Sequence, residues 1–314
     1  MSNQSSITEI LDKQKRDNDL RPHLGCSYAG HHCARYIWLN FRWAVTKQID
    51  GRIMRLFKRG HDEEPRVIDL LKSIGLDITN YGEDQLSVHV KGHISGALDG
   101  IIQSGVPESP NEKHVLEIKT HSLKSFNDLA KNGVKASKPV HYSQVQLYMH
   151  ATGIKKSLYF AICKDDDRVY TEIIDYSFDM ANSIVDCADD ISLRDEIPER
   201  ISHDPTWWIC KMCAYHDMCH VSKLTKNVNC RTCAYSTAKP DGTWRCEKFE
   251  ADGIPEEHQR KGCEHHVIHP HLTPWDVDPN FGGDGIAFKI ADKKVTNGKD
   301  GVSSKELIDW YYGL

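Results

Sequence analysis

The sequence of 314 residues is 39% hydrophobic and 27% charged, and its formal net charge is −5. This length and composition allow one large folded domain with an appendage, while the acidic balance argues against a protein that coats polyanions over its whole surface. No apolar run reaches about 18 residues, and the N-terminus MSNQSSITEI lacks the basic and apolar regions of a signal peptide, so we expect a cytoplasmic protein with no membrane partner.

Residues 21–60 form a basic segment within this acidic chain. Its cationic side chains are opposed only by Asp50, and aromatic residues are interleaved with them. The cations are Arg21, Arg35, Arg42, Lys47, Arg52, Arg55, Lys58 and Arg59, and the aromatic residues are Tyr36, Trp38, Phe41 and Trp43. Two interpretations are open: a solvated helix with an apolar core stripe, or a surface that follows phosphates and stacks on bases.

Two helices are predicted upstream of residue 76. Apolar periodicity predicts an amphipathic helix over residues 33–43 and a second helical region over residues 52–74, which Gly75 ends. His61 and Glu64 lie three apart in the second helix and therefore share a face. Either side chain could reach a metal ion from that face, although an acidic helix N-terminus is the alternative interpretation.

The stretch GHISGALDGIIQSGVPESPNEKHVLEIKT (92–120) carries the most concentrated chemistry. It predicts one strand that ends near Asp99 and a second strand, HVLEIKT, joined by a Pro-containing loop. Because side chains alternate along a strand, Glu117 and Lys119 point to the same face. Two carboxylates and a lysine would then converge at one sheet edge, where they can hold a divalent cation beside a nucleophilic water.

Further along, the pattern predicts a short helix, a loop rich in lysine, and a helix that carries Gln144 and Tyr148 on one face. The loop lysines are Lys131, Lys135 and Lys138. A β-hairpin that turns at residues 165–167 and a helix over residues 178–194 follow. An ordinary amphipathic helix is the alternative interpretation of the segment with Gln144 and Tyr148.

Four short segments, in this order and spacing, resemble the motifs of a known family. They are GHDEE (60–64), ALDG (97–100), LEIKT (116–120) and Gln144-x-x-x-Tyr148. The set resembles the PD-(D/E)XK nucleases, and the Gln-x-x-x-Tyr pair is similar to the signature of their RecB-like branch, which includes CRISPR-associated exonucleases and many phage nucleases. Leu98 departs from the pattern, because it takes the place of the proline in the family name.

The resemblance implies an α/β fold with a central mixed β-sheet flanked by helices, as in restriction endonucleases. It also implies catalytic roles for Glu64, Asp99, Glu117, Lys119, Gln144 and Tyr148. In this site Glu64, Asp99 and Glu117 would hold one or two Mg²⁺ or Mn²⁺ ions. His61 is the second choice for the helix ligand, and the main-chain carbonyl of Ile118 is a further candidate. Lys119 would orient the attacking water, and Gln144 and Tyr148 would position the DNA strand.

The eleven cysteines favour metal binding over disulfides in a reducing compartment. Cys210, Cys213 and Cys219 have a spacing that suits zinc or an iron–sulfur cluster. This spacing also resembles the cysteine triplet of RecB-like nucleases with a 4Fe–4S cluster, whose fourth ligand lies in an N-terminal Cys-x-Arg segment. By this resemblance the fourth ligand is Cys33, with Cys26 as its competitor, and zinc is the alternative metal.

A second metal site is predicted near the C-terminus. Cys230 and Cys233 form a C-x-x-C pair, Cys246 follows in the sequence, and Cys263 lies beyond a short predicted helix. Four soft ligands in this arrangement indicate a small zinc-binding module, with His266 as the alternative fourth ligand.

The sequence therefore predicts three segments: a nuclease domain with a metal clasp (1–222), a zinc module (223–270) and a tail (271–314). In the tail we expect an extended Pro-containing linker, a hairpin that turns at NGKDG, and a terminal helix capped by Ser303 or Ser304.

We expect a metal-dependent deoxyribonuclease that acts on DNA, of the exonuclease kind used in recombination, replication or repair and often encoded by phages. Two alternatives remain. One is a catalytically inactive zinc protein that binds nucleic acid, against which the intact Asp99, Glu117 and Lys119 argue. The other is a replication scaffold subunit that binds a replication or recombination protein through its C-terminal region, which ends in the aromatic run 310–312.

Overall fold

The protein is described by a computed structural model that covers residues 6–278 and 284–314. The helices within these ranges are α1 (Ser6–Lys13), α2 (Cys26–Ala29), α3 (Ala34–Phe41), α4 (Gly51–Ser73), α5 (Leu123–Ser137), α6 (Pro139–Thr152), α7 (Phe178–Leu193), α8 (Trp208–Lys211), α9 (His216–His220), α10 (Glu256–Lys261) and α11 (Ser304–Tyr312). Short 3₁₀ turns occupy Gly82–Asp84, Cys230–Thr232 and Pro270–Leu272.

The strands over the same ranges are β1 (Lys15–Asp17), β2 (Leu24–Gly25), β3 (Gln48–Asp50), β4 (Asp77–Thr79), β5 (Ser87–Lys91), β6 (Ile94–Ala97), β7 (Gly100–Ser104), β8 (His114–His121), β9 (Lys156–Cys163), β10 (Val169–Asp175), β11 (Ser236–Ala238), β12 (Trp244–Cys246), β13 (Asp276–Val277), β14 (Ile286–Ile290) and β15 (Lys293–Asn297). The mixed α/β class predicted from the sequence is confirmed.

The described chain folds as two units. Unit 1 consists of residues 6–18, 25–30 and 48–188, and unit 2 consists of residues 19–24, 31–47, 189–278 and 284–314. This division differs from the predicted boundary at residue 222. Residues 31–47 and 189–222, which the sequence assigned to the nuclease domain, fold with the cysteine-rich segment, because the aromatic side chains of α3 are buried there.

A five-stranded mixed sheet forms the centre of unit 1, with strand order β10-β9-β8-β7-β4. The middle strand β8 runs parallel to β9, which places Glu117 beside Tyr159, and antiparallel to β7. Strands β9 and β10 form the hairpin that the sequence predicts.

Helix α4 is one unbroken helix of 23 residues. Asp50 caps its N-terminus, because the carboxylate accepts a hydrogen bond of 2.8 Å from the amide of Ile53. The helix continues through Gly60 and Pro65, and the positive φ of Gly75 follows its C-terminus. The predicted second helix is therefore present, and it positions His61 and Glu64 on one rigid element.

The apolar side of α4 packs on the central sheet. The buried cluster that they form contains Val67, Ile68, Leu71, Leu76, Ile78, Ile102, Val106, Leu116, Ile118, Leu158, Phe160 and Ile162. Each large side chain removed from water in this way contributes roughly 1.5–3 kcal/mol. Because neighbouring residues of a strand face opposite sides, burial of Leu116 and Ile118 in this cluster turns Glu117 and Lys119 to the other face of β8.

The single strand predicted before Asp99 is in fact two strands in different sheets. β6 pairs with β5, whereas β7 pairs with β8 in the central sheet. Leu98 and Asp99 connect them, and Leu98 is fully buried. The chain changes sheets at this point because the buried Leu98 and a hydrogen bond from Ile118 to Asp99 hold the connection.

The lysine-rich loop predicted around residues 131–138 is wrong. Helix α5 extends through most of it and is interrupted only at Gly133, where φ is 74°. The next residue, Val134, is buried and donates its amide to Glu172 at 2.8 Å. Pro139 then begins α6, where its missing amide is tolerated.

Unit 2 is built around the buried side chain of Arg231. Its guanidinium lies 3.9 Å from the ring centre of Trp43 and 4.9 Å from that of Trp244. It also donates to the carbonyls of Phe41 and Pro22 and to the side chain of Gln259. Phe41 and Trp43, which the sequence left open as stacking platforms, are therefore core residues, and so is Trp38.

Replacing Arg231 with methionine should destabilise the protein by about 3–5 kcal/mol, because the substitution leaves buried acceptors without a donor. Urea unfolding followed by tryptophan fluorescence measures this effect. The exposed Arg66 is the matched control, and Arg66→Met should change the free energy of unfolding by less than about 0.5 kcal/mol. Equal stability of the two variants would contradict the role of Arg231.

The tail differs from the prediction at its turn. Strands β14 and β15 pair from Ile286 to Asn297 and turn at residues 291–292, so the hairpin turn predicted at NGKDG is wrong. The buried Asn297 binds the amide of Ile268 and the carbonyl of Val302, which directs NGKDG towards α11. Ser303 caps α11, as one of the two predicted options. Residues 279–283 of the predicted Pro-containing linker lie outside the described residues.

Most of the terminal aromatic cluster packs within unit 2. The hydroxyl of Tyr312 donates to the carbonyl of Leu224 at 2.5 Å, and the ring of Tyr311 lies 5.7 Å from that of Trp275. Trp310 remains 62% exposed. Over the ranges described here, none of the helices combines the length and the apolar character that crossing a bilayer requires.

Candidate active site

Strand β8 brings Glu117 and Lys119 into direct contact. Their side chains lie on the same face of the strand, and the Lys119 ammonium forms an ion pair with Oε1 of Glu117. Glu117 is completely buried, and the Lys119 side chain is 26% exposed. The lysine thus forms the solvent side of the pair, and the carboxylate forms its interior side.

The buried carboxylate of Glu117 has fewer hydrogen-bond partners than its two oxygen atoms can accept. Its Oε2 makes no hydrogen bond with any residue that the structure describes. The pKa of Glu117 is raised to about 8, chiefly by burial; Lys119 opposes this shift, and the charges of Asp99 and Glu64 add to it. Burying a charged oxygen without a hydrogen-bond donor costs free energy, so a cation bound at this oxygen would stabilise the ionised carboxylate.

Asp99 is fixed by the backbone of β8. Its Oδ2 accepts a hydrogen bond of 2.7 Å from the amide of Ile118, the residue between Glu117 and Lys119. This bond ties the connection between β6 and β7 to β8. The Ile118 side chain belongs to the apolar cluster, so only its main chain faces this group of polar residues.

Helix α4 contributes Glu64 to the same group. Burial raises the pKa of Glu64, and the charge of Asp99 raises it further, while His61 and Lys119 lower it. His61 Nδ1 lies 3.8 Å from Oε2 of Glu64, but the His61 side chain is 81% exposed. Of the two predicted helix ligands, Glu64 therefore lies within the electrostatic reach of Asp99 and Lys119, and His61 lies beside it towards solvent.

The charge of Lys119 is stabilised by these carboxylates. Burial alone would lower its pKa, but Glu117, Asp99 and Glu64 together outweigh that effect and raise it. The side chain therefore remains an ammonium ion at neutral pH, able to donate hydrogen bonds.

Gln144 and Tyr148 lie beside this group, but both are buried. Gln144 donates to the Tyr148 hydroxyl at 3.1 Å, and that hydroxyl donates to the Ala97 carbonyl at 2.7 Å. The pair therefore anchors α6 to the end of β6, two residues before Asp99. The predicted role of the two residues in positioning the DNA strand stays a prediction.

The approach of Tyr148 depends on Gly96. A Cβ atom at this position would lie 2.8 Å from the Tyr148 ring and 3.1 Å from Cys26. A glycine in the segment that precedes Asp99 therefore permits α6 to pack closely on β6. It also places Cys26 against Tyr148 within unit 1.

Three polar residues near Lys119 were missed by the sequence analysis. His121 Nε2 lies 3.0 Å from the Tyr159 hydroxyl, and His141 Nδ1 lies 2.8 Å from the same oxygen. His121 follows Glu117 and Lys119 at even spacing on β8, so strand alternation alone could have placed it on their face. Tyr159 could not be found in this way, because its position depends on the parallel pairing of β8 with β9.

The donor chemistry of the carboxylate group fits a hard divalent cation. Glu64, Asp99 and Glu117 offer only oxygen atoms, which Mg²⁺ and Mn²⁺ prefer, and Oε2 of Glu117 has no other partner in the described chain. As they stand, however, no three His, Cys, Asp or Glu side chains in residues 6–278 and 284–314 are grouped closely enough to hold a metal ion. The ammonium of Lys119 supplies the positive charge beside Glu117 in this arrangement.

The first cysteine set lines one cavity of unit 2. Cys33, Cys210, Cys213 and Cys219 all face this space of about 320 Å³. Burial raises the pKa of the last three thiols, and Cys33 raises each of them further through its charge. Arg35 opposes the shift at Cys219. The four cysteines of the predicted set that includes Cys33 thus line one cavity, although like the carboxylates they are not grouped closely enough in the described chain to hold a metal ion.

The second cysteine set lines a much smaller space of about 20 Å³, formed by Cys230, Cys233, Cys246 and Cys263 with their neighbours. Burial raises the pKa of Cys230 to about 12 and that of Cys233 to about 11, with added repulsion from the other thiols. Both ring nitrogens of His266, the alternative fourth ligand, have hydrogen-bond partners outside this cysteine set. Its Nδ1 lies 2.8 Å from the Ser304 hydroxyl, and its Nε2 lies 3.1 Å from the Asn229 carbonyl.

A basic cleft of about 300 Å³ lies along α4. Its lining has five cationic side chains against three acidic ones: Arg55, Lys58, Arg59, Arg66 and Lys164 against Asp62, Glu63 and Asp167, with Thr120 and Ile162 beside them. Three of these cations are neutralised by neighbouring carboxylates. Arg59 donates to the carbonyl of Lys164, and neither Arg59 nor Lys164 forms an ion pair within the described chain. These two charges are available to an external anion.

Comparisons with known proteins give limited similarity. No family model and no curated protein matches the sequence. Among solved structures, the alkaline exonuclease LHK-Exo of Laribacter hongkongensis matches with a TM-score of 0.40 and 16% identity, over 54% of this chain and 86% of that one. Its complex with dAMP matches with a TM-score of 0.40 and 12% identity, over 55% and 87% of the two chains.

A third solved structure, SSO0001, matches with a TM-score of 0.42 and 20% identity, over 70% of this chain and 98% of that one. At these TM-scores the likeness identifies neither the family nor the activity of this chain.

Proposed function

We propose that this protein is a metal-dependent deoxyribonuclease of the PD-(D/E)XK type, in the RecB-like branch. One observation carries the proposal: the buried, incompletely partnered Glu117 contacts Lys119 on β8 while Asp99 binds the amide between them. A single carboxylate–lysine pair would be an ordinary strand feature. The addition of Asp99 and Glu64, whose charges both raise the pKa of Glu117, supports a site for phosphodiester hydrolysis.

Glu64, Asp99 and Glu117 would hold Mg²⁺ or Mn²⁺, with the Ile118 carbonyl as a further candidate ligand. A bound divalent cation supplies Lewis-acid polarisation of the phosphate and lowers the pKa of a coordinated water. His61 is the weaker candidate, because its side chain is exposed and lies on the solvent side of Glu64.

The residues of the chain itself then perform three tasks. Lys119 remains protonated and donates hydrogen bonds, so it orients the attacking water and offsets the negative charge that grows on the phosphate. Asp99 is held in place by the amide of Ile118, which reduces the reorganisation needed at the moment of reaction. Tyr148 and Gln144 act as positioning residues, because their hydrogen bonds hold Ala97 and thus the segment that carries Asp99.

DNA is the substrate that the basic cleft supports best. The unneutralised Arg59 and Lys164 lie in one cleft with Thr120, the residue that follows Lys119 on β8. Because Thr120 lies on the face of β8 that is packed on α4, a polyanion bound there would approach β8 from the side of the helix that carries Glu64. Lys and Arg side chains in such a groove follow the phosphate backbone without reading sequence.

Replacing both Arg59 and Lys164 with alanine should weaken DNA binding to a similar extent for unrelated sequences. The plot of log K against log salt concentration should lose about one unit of slope for each removed phosphate contact. Fluorescence anisotropy at several salt concentrations measures both effects. Lys72→Ala, on the same helix but outside the cleft, is the control. An unchanged slope in the double variant would show that DNA does not bind along this cleft.

The first cysteine set would hold a 4Fe–4S cluster, with zinc as the alternative. The cavity of about 320 Å³ lined by Cys33, Cys210, Cys213 and Cys219 has room for more than one metal atom. Cys33 is favoured over Cys26, because Cys33 lines the same cavity as the other three thiols and Cys26 does not. Such a site would fasten α3 to residues 210–219 within unit 2, with the structural role of a clasp.

The second set would hold a single zinc ion. A space of about 20 Å³ is close to the volume of one small bound particle, and four thiols are a known structural zinc set. Cys263 is favoured over His266 as the fourth ligand, because both His266 nitrogens already have partners.

An exonuclease acting in recombination, replication or repair, in the cytoplasm of a bacterial host if a phage encodes it, is the finer form of the proposal. A protein partner would bind at Trp310, the exposed member of the terminal aromatic run.

Purified protein should degrade end-labelled linear DNA with Mn²⁺ and not with EDTA, and should spare covalently closed circles. Cleavage of circles would make it an endonuclease, and metal-independent cleavage would contradict the proposal.

A further inference from the structure

The three residues missed by the sequence analysis belong to a hydrogen-bonded relay, defined here as Ser125, His121, Tyr159 and His141. His121 Nδ1 lies 3.1 Å from the Ser125 hydroxyl, and the Tyr159 hydroxyl lies between His121 Nε2 and His141 Nδ1. His121 and Tyr159 are buried, while His141 is half-buried. His141 Nε2 makes no hydrogen bond within the described chain, so the relay has one open end.

The relay can be satisfied in two directions, because the tyrosine hydroxyl carries one proton. In one direction Ser125 donates to His121, His121 donates to Tyr159, and Tyr159 donates to His141 Nδ1. His141 then carries its proton on Nε2, at the open end. In the other direction every bond is reversed, and the Nε2 of His141 becomes an acceptor.

Both histidines are neutral in either direction at physiological pH. Burial lowers the pKa of His121 to about 4 and that of His141 to about 3, and the nearby Lys119 contributes to both shifts. The open end of the relay can therefore present a hydrogen-bond donor without adding another full charge to the site.

The open end belongs to the side of the molecule where the catalytic group lies. His121 shares the face of β8 with Glu117 and Lys119, and Tyr159 is paired beside Glu117. His141 precedes Gln144 by three residues and Tyr148 by seven on α6, so the three share a helix face. Tyr148 on this face reaches Ala97, next to the segment that carries Asp99.

We propose that His141 contacts the substrate, with its Nε2–H donating to a non-bridging oxygen of the phosphodiester that is cleaved. Tyr159, His121 and Ser125 are positioning residues that fix the proton of His141 on Nε2. An anionic phosphate at the open end favours the donor direction of the whole relay. This inference rests on the proposed nuclease function and names a further substrate contact in the same site.

The test compares steady-state cleavage of linear DNA with Mn²⁺ by His141→Phe, His141→Gln and Tyr159→Phe. His141→Phe should lower kcat and kcat/KM together by roughly 10- to 100-fold, since a hydrogen bond to a charged group that forms in the transition state is lost. His141→Gln, which keeps a neutral donor, should recover most of that loss. Tyr159→Phe should have a smaller effect on kcat with little change in KM, because without the tyrosine hydroxyl the proton of His141 is no longer fixed on Nε2.

The same helix provides a matched control. His150 Nδ1 lies 2.9 Å from the Tyr176 hydroxyl, so α6 supplies the histidine of a second His–Tyr pair outside the relay. His150→Phe and Tyr176→Phe should cleave DNA like the wild type. Wild-type kinetics in His141→Phe, or equal losses in His141→Phe and His141→Gln, would overturn the contact while leaving the nuclease proposal intact. Absence of cleavage by the wild type would overturn the proposed function, and the contact with it.

Discussion

Replacing Glu117 with glutamine should reduce Mn²⁺-dependent DNA cleavage by roughly 10²- to 10³-fold or more, the usual cost of removing one electrostatic element from a preorganised site. The substitution keeps the shape of the side chain but removes the charge that would bind the cation and hold Lys119 in place. Lys119→Met should have a loss of similar size. A single-turnover cleavage assay measures both, and Glu83→Gln, which changes an exposed carboxylate in the 3₁₀ turn Gly82–Asp84, is the matched control.

The fold of the Glu117→Gln variant should be intact, and its stability gives an independent check. In metal-free protein the pKa of Glu117 is raised to about 8, above its unfolded value of about 4.5. The folded state therefore binds this proton more tightly than the unfolded state does. As a result, the free energy of unfolding decreases as pH rises from about 4.5 through about 8. The glutamine variant should lack this loss. Retained cleavage in a folded Glu117→Gln protein would show that Glu117 on β8 takes no part in the reaction.

Replacing Cys210 with serine should remove the metal from the first cysteine set and greatly reduce soluble protein. Thiolate ligation contributes directly to folding free energy when the site fastens distant chain segments. Anaerobically purified wild type should be brown and carry about four iron atoms, as expected of one cubane cluster, and the variant should be colourless. Metal analysis of the two proteins measures the difference.

The exposed Cys187 on α7 provides the control for this experiment. Cys187→Ser should keep the colour, the iron and the solubility of the wild type. A colourless wild type with zinc and no iron would replace the cluster with the zinc alternative. Full iron content in Cys210→Ser would contradict the assignment of that ligand.

The parts of the candidate site that depend on local periodicity could be predicted from the sequence. Strand alternation placed Glu117 and Lys119 on one face, and helix periodicity placed His61 and Glu64 together on α4. The sheet change at Leu98 and Asp99 could not be predicted, because it depends on a hydrogen bond from Ile118, a residue that lies on another strand.

The organisation of the two units was also beyond the sequence. The predicted boundary at residue 222 treats the zinc module as an appendage, but Arg231 donates to the carbonyls of Phe41 and Pro22. Thr225 likewise donates to the carbonyl of Ala44. A chain ended near residue 224 would lose these bonds and expose buried tryptophan, so we expect it not to fold independently. No local pattern reveals pairings over such sequence distances.

The proposed metal site is tested most directly by an anomalous-scattering map from crystals of the wild-type protein grown with Mn²⁺. We expect a manganese peak bound by oxygen atoms of Asp99 and Glu117, with Glu64 as the helix ligand and Lys119 displaced from Oε1 of Glu117. A map with no manganese at these carboxylates at saturating Mn²⁺, or with manganese bound elsewhere while DNA cleavage persists, would contradict it.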